Sequence, residues 1–303
     1  MRTLWVDTDF GFDDLWALLL LRHFGCEVAG VSLVAGNAPL AQVAANASAA
    51  QAVYGFNWPV WQGATRPLAR EPETAARILG PTGMRSRGRE LETTGCARPP
   101  DGALEAIVAW LESQPETSHE MLALGPLTNI AHLLETAPEM AHRISRVVWM
   151  GGSAGAGNHT PHAEFNAVAD AEAVAQVAGS GLPFDIVDLT FCRAVTFGPG
   201  DMPRSDPLTS DLLGGYLDIG LERGRSGMAI YDPLAALAVA QPDAIRFEPY
   251  SLSVDTSDTD TYGATTMAAD RGSHIRIAVA GANDLAQTCL AALTEEAVHG
   301  PRP

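Results

Sequence analysis

Four carboxylates fall within eight residues near the amino terminus, in the run Asp7-Thr8-Asp9-Phe10-Gly11-Phe12-Asp13-Asp14. Like charges this dense are costly unless a counter-ion shares the space. No Cys or His lies among them, and oxygen-only ligands suit a hard cation, calcium or magnesium, rather than zinc. The apolar Leu4-Trp5-Val6 before the run reads as a strand, whose alternation turns Asp7 and Asp9 to one side. Gly11 then allows a turn that folds Asp13 and Asp14 back from the start of a helix over 15–24. The carboxyl end of such a strand is where open α/β sheets bind ligands. A helix dipole alone would account for Asp13 and Asp14, but not for all four.

The elements needed to hold this cluster recur along the chain. Apolar strands are expected at 28–35, 59–61, 121–124, 147–150 and 184–187, with helices at 39–54, 102–113, 127–136 and 171–178. Alternating β and α elements with strands apolar on both faces predict one α/β domain, 1–303, around a mainly parallel, doubly wound sheet. Extended, partly antiparallel segments are expected over 246–280, and a closing helix over 284–296. The stretch 66–100, rich in Arg, Gly, Pro and Thr, reads as a long loop or a flap near a site.

Composition removes several function classes. The formal charge of −17, from 36 acidic against 19 basic residues, repels a phosphate backbone, so no nucleic-acid partner is expected. No apolar run reaches the ~18 residues of a membrane span, and no leader pattern opens the chain, so a cytoplasmic location is expected. Four dispersed cysteines indicate neither a zinc knuckle nor a disulfide framework. Every basic residue is arginine, which excludes Schiff-base and P-loop lysine chemistry. An apolar strand followed by DxD also opens the aspartyl-phosphate phosphatases of the haloacid dehalogenase type, but those set a lysine against the phosphate.

The run from Asp7 to Asp14 resembles the DxDPGxDD signature of inosine-uridine nucleoside hydrolases, and further landmarks follow in that family's order. Gly36-Asn37 is similar to its VGN element, Leu124-Gly125-Pro126-Leu127-Thr128-Asn129 to its GPLTN turn, and Val148-Trp149-Met150-Gly151-Gly152 to its MGG strand end. Gly157-Asn158 and Ala163-Glu164-Phe165-Asn166 match its GN and EFN motifs. Tyr231-Asp232-Pro233-Leu234-Ala235 resembles its HDPLA helix start, and Gly263-Ala264-Thr265-Thr266 its RGAT strand.

The resemblance implies calcium-dependent hydrolysis of a small-molecule nucleoside or N-riboside by a homodimer or homotetramer. One Ca2+ would be held by Asp9, Asp14, the Leu124 carbonyl and Asp232, and Asp9 would act as general base on the attacking water. Asp13, Asn37 and Asn166 would hold the ribose 2′ and 3′ hydroxyls, Asn158 and Glu164 the 5′ hydroxyl, and Met150 would line the sugar pocket. Two positions depart from the pattern: Phe10 replaces a proline, and Tyr231 replaces the histidine that presents a proton to a purine leaving group. Tyrosine, with an ordinary pKa near 10, is a poorer acid at neutral pH. Leaving-group activation would then fall to Tyr231 or to an arginine such as Arg225. The alternative from another class is a nucleoside- or ribose-binding protein with little turnover. His159 and His162 read as solvated loop residues, and the acidic run 255–260 as a solvated hairpin.

Overall fold

The structure is a computed structural model and describes residues 3–113 and 119–299. Its strands are β1 (Thr3–Thr8), β2 (Val28–Leu33), β3 (Val60–Gln62), β4 (His119–Ala123), β5 (Ile144–Met150), β6 (Phe184–Val187), β7 (Thr196–Phe197), β8 (Met228–Ala229), β9 (Ile245–Val254), β10 (Thr265–Ala269) and β11 (Ile275–Gly281). Nine of them form one sheet in the order β10-β9-β11-β6-β5-β4-β1-β2-β3, and β7 pairs with β8 apart from it. From β11 to β3 all neighbours run parallel, and β9 is antiparallel to both β10 and β11. The central strands β1 and β4 are buried along their whole length, which explains why they read as continuous apolar runs rather than alternating ones.

The helices are α1 (Phe12–His23), α2 (Leu40–Tyr54), α3 (Ala76–Leu79), α4 (Ala103–Ser113), α5 (Thr128–Thr136), α6 (Pro138–Ala141), α7 (Phe165–Ala169) and α8 (Ala171–Gly179). They continue with α9 (Leu189–Arg193), α10 (Pro207–Glu222), α11 (Asp232–Ala240), α12 (Leu285–Ala291) and α13 (Glu295–Val298). Two apolar cores result, one on each face of the sheet: Leu15, Trp16, Leu33 and Leu234 belong to one, Trp5, Ile130, Trp149 and Phe184 to the other. No helix among the described residues is long and apolar enough to cross a membrane.

The predicted closing helix is instead two, α12 and α13, because the Thr294 hydroxyl accepts the Ala297 N–H and starts a new helix. The segment 66–100 contains only α3 and is tied down along its length. Asp170 accepts the Leu68 N–H at 3.1 Å, Arg70 stacks 3.5 Å over the Tyr262 ring, and Arg85, Arg87 and Arg89 pair with Glu222, Asp218 and Asp211 of α10. Helix α10 is not among the helices expected from the sequence, because its glycines mask it. At Gly215 an added Cβ would lie 2.4 Å from the Arg85 carbonyl oxygen, so the missing side chain is what lets the 66–100 segment lie against the helix.

Candidate active site

The expected site residues converge at the carboxyl ends of the parallel strands. β1 delivers Asp9, the start of α1 Asp13 and Asp14, and the turn after β2 Asn37, while Leu124 and Met150 stand at the ends of β4 and β5. The loop after β5 supplies Asn158 and Glu164, α7 Asn166, and the first turn of α11 Asp232 beside Tyr231. All of these except the fully buried Asp14 line one cavity.

The floor is acidic. Asp13, Asp14 and Asp232 each bring a carboxylate oxygen within 4.8 Å of the others. Asp9 lies against them with one oxygen on the Asn37 backbone N–H (2.7 Å) and the other on Asn37 Nδ2 (3.0 Å), which also reaches Asp14 Oδ2 at 3.3 Å. Asn37 thus positions carboxylates as well as facing the cavity. Asp14 further accepts from Thr8 Oγ1 and from the Gly11 N–H. Gly36 is required here, since a Cβ on it would sit 2.2 Å from Asp9 Oδ2. Asp7 is the exception in the sequence cluster: it turns to Ser32 and Asn129, away from the cavity, and serves packing.

Burial and mutual repulsion push these acids upward. Asp14 rises to about 7 and Asp13 to about 6, each chiefly through burial, and burial with the neighbouring Asp13 and Asp14 holds Asp232 well above the carboxylate range. Asp9 is raised in the same way, by burial first and then by Asp14. Among the described residues no arginine or histidine pairs with any of the four. Oxygen donors without protein counter-charge, beside the amino termini of α1 and α11, fit a hard divalent cation. Leu124 lines the same cavity, and its carbonyl accepts from Asn166 Nδ2 at 2.9 Å.

On the adjoining wall, Glu164 caps α7 and accepts three backbone N–H groups, from Gly152 (2.9 Å), Asn166 (2.9 Å) and Ala167 (3.2 Å). Asn158 Oδ1 accepts the Phe165 N–H at 2.9 Å. The remaining lining is largely apolar, with Ala75, Ile78 and Leu79 from the 66–100 segment and Ile219 and Met228 from α10 and β8. Tyr231 stands there edge-on to Tyr216, ring centroids 6.4 Å apart, and burial pushes its phenol up to about 12.

Several lining residues were not legible in the sequence. Tyr216, whose hydroxyl donates to Asp13 Oδ2 at 3.2 Å, and Arg223 come from α10 and its end. Arg223 is the arginine that lines the cavity; the expected Arg225 does not line it, but its charge acts on the Tyr231 phenol. His159 is a second correction: its side chain is 8% exposed and forms part of the wall, with Nε2 2.6 Å from Glu73 Oε1, because the 66–100 segment covers it. His162 remains exposed, as does the 255–260 loop between β9 and β10.

Comparison with known proteins agrees with this geometry. A family model described as inosine-uridine preferring nucleoside hydrolase matches residues 4–290. The chain is 33% identical over 276 residues to the non-specific ribonucleoside hydrolase RihC of Escherichia fergusonii, covering 88% of each chain, and 33% identical over 290 residues to that of Shigella dysenteriae serotype 1, covering 91% and 92%. Its fold is similar to that of a purine-preferring ribonucleoside hydrolase from Gardnerella vaginalis, with a TM-score of 0.85 at 22% identity over 96% of this chain and 99% of the other. With the family matched along nearly its whole length, the chain belongs to the inosine-uridine preferring nucleoside hydrolases and is an N-glycosyl hydrolase.

Proposed function

We propose that this chain hydrolyses the N-glycosidic bond of a ribonucleoside, giving ribose and free base, in a calcium-dependent reaction. One observation carries the reading: a floor of four carboxylates, three of them buried and Asp13 half-buried, lies beneath a cavity whose wall bears the amides Asn37, Asn158 and Asn166. Carboxylates and amides supply the hydrogen bonds a polyol needs.

Asp9, Asp14, Asp232 and the Leu124 carbonyl would hold the ion, with Asp13 close enough to join them. Bound there, a divalent cation would offset part of the floor's charge and make a nearby water more acidic. Asp9, oriented at both oxygens by Asn37, accepts the proton of the attacking water. A bond forms from that oxygen to the anomeric carbon, the bond to the base nitrogen breaks, and the base leaves with the bonding pair and takes up a proton from solvent, to which Asp9 later returns the one it accepted. Positive charge grows on the sugar meanwhile, and the carboxylate floor stabilises it more than the neutral ground state.

With its phenol raised to about 12, Tyr231 keeps its proton and acts toward the base by stacking or as a hydrogen-bond donor, not as an acid. Arg223 also lines the cavity, while the cationic charges that act on the Tyr231 phenol are those of Arg193 and Arg225.

The test is a panel of purine and pyrimidine nucleosides beside p-nitrophenyl riboside, assayed with calcium and with a chelator. Hydrolysis of the activated riboside that disappears on chelation and returns with calcium is expected. Binding of nucleosides without hydrolysis of any compound would identify a binding protein instead.

A further inference from the structure

The floor carboxylates are not held alike. Asp9 receives the Asn37 backbone N–H on one oxygen and Asn37 Nδ2 on the other, and Asp14 receives Thr8 Oγ1, the Gly11 N–H and Asn37 Nδ2. Asp13 is the half-buried member that lines the cavity. Besides the backbone at the start of α1 it meets, among the described residues, one side-chain donor, the Tyr216 hydroxyl at 3.2 Å from Oδ2. Its other oxygen, Oδ1, is left without a side-chain donor.

Tyr216 can aim at one atom because its ring is locked. It is buried, lies parallel to Phe197 with centroids 6.5 Å apart, packs on Phe12 at 5.7 Å and meets Tyr231 edge-on at 6.4 Å. Phenylalanine would satisfy all three ring contacts, and a hydroxyl buried in such a cluster costs free energy unless it is hydrogen-bonded. The Ala229 carbonyl oxygen also lies within reach, at 3.3 Å, but the hydroxyl has one hydrogen and a carboxylate binds it more strongly than a carbonyl does. Burial and the neighbouring Asp13 hold the phenol well above its ordinary range, so it stays a donor.

We propose that Tyr216 is a positioning residue for the reaction: its hydroxyl pins Asp13 Oδ2 and so fixes the carboxylate with Oδ1 left to accept a hydroxyl of the bound sugar. The proposal rests on the ribonucleoside reading above, in which the carboxylates and amides of the cavity hold the polyol. Tyr216 touches no reacting atom and acts through Asp13. A carboxylate already fixed at one oxygen has less freedom to lose when the sugar arrives, so removing the phenol oxygen costs orientation rather than packing.

The experiment is a double-mutant cycle of Tyr216→Phe and Asp13→Asn, assayed by kcat and KM on inosine and on p-nitrophenyl riboside across a calcium series. Phenylalanine keeps the contacts with Phe12, Phe197 and Tyr231 and removes only the oxygen, and melting curves check the fold of each variant. Tyr216→Phe should lose about tenfold in kcat/KM on both compounds, the scale of one hydrogen bond to a charged group. Added to Asp13→Asn, it should change the rate by no more than about twofold, because the two residues act as one unit. No loss in the wild-type background, or the same loss in both backgrounds, would overturn the proposal. A loss confined to inosine would place the action of Tyr216 on Tyr231 and the base, and one that disappears as calcium is raised would place it on the ion; either result also overturns it. Where Asp13→Asn turns over too slowly to measure, the cycle is read from inosine affinity by calorimetric titration. If the wild type hydrolyses neither compound, the hydrolase reading has failed on its own, and the same titration still reads the coupling of Tyr216 to Asp13.

Discussion

Glu164 sets two physical effects against each other, and its replacement by glutamine measures which prevails. Three backbone N–H groups favour the ionised carboxylate, while complete burial disfavours it; burial wins and lifts the group to about 7, from an ordinary value of 4.5. A raised acid binds a proton in the folded chain at pH values where the unfolded chain has released it. The stability it contributes is therefore fully present below about 4.5 and is lost as pH rises through about 7. Between pH 5 and pH 8 the loss spans about two pK units, or about 3 kcal/mol at 1.36 kcal/mol per unit. Glutamine does not titrate, so the difference between the two proteins should move by that amount in favour of Glu164→Gln at the higher pH, whatever fixed cost the lost N–H acceptor imposes. At ~2.1 cal/mol/K of unfolding entropy per residue, 3 kcal/mol corresponds to about 5 °C in this chain. Calorimetric melting of both proteins at pH 5 and pH 8 provides the comparison. A difference in Tm that does not change with pH would refute the reasoning, and one that shifts the opposite way would show that the three N–H groups outweigh burial.

Asp9→Asn should keep the fold and lower hydrolysis by roughly 10² or more, the scale of lost general-base catalysis, with calcium content measured beside the rate so that the two roles of Asp9 are separated. Gly36→Ala should cost activity on a similar scale without unfolding the chain, because the methyl group displaces Asp9 by more than its hydrogen bonds to Asn37 tolerate; an unchanged kcat would refute this. Tyr231→Phe should change the rates on nucleosides and on p-nitrophenyl riboside by similar, small factors if the ring stacks, and slow only the nucleosides if the hydroxyl donates a hydrogen bond. Equal and large losses on both would mean that Tyr231 chiefly positions Asp232.

The sheet was largely legible because its strands are short apolar runs that end in distinctive polar residues. Strands at 121–124, 147–150 and 184–187 were expected and β4, β5 and β6 occupy nearly the same positions. The acidic floor was legible because carboxylates so close in sequence repel one another unless a cation lies among them. Asp7 shows the limit, since alternation put it with Asp9 while the buried Ser32 and Asn129 hold it elsewhere. What the sequence concealed is the half of the cavity built by long-range packing. Tyr216 and Arg223 sit on a helix and its end, where Gly214, Gly215 and Gly220 lower the apparent propensity, and those glycines make sense only once the strand and loop that press against them are seen. His159 likewise looks like a surface loop residue until Glu73, 86 residues earlier, is laid over it.

Phe10 carries a consequence for how this sequence can change. Its φ is +43°, the left-handed region, which proline with its ring-fixed φ near −65° cannot enter. Its N–H donates to Thr8 Oγ1 at 3.1 Å, and that hydroxyl in turn donates to Asp14. Installing the family's proline would remove the first donor in this relay and reverse the sign of the backbone angle between two floor carboxylates. The substitution is therefore no simple reversion: position 10, Thr8 and Asp14 form one epistatic unit. A proline there becomes tolerable only in a background where the threonine hydroxyl has found another donor and the turn has been rebuilt around it.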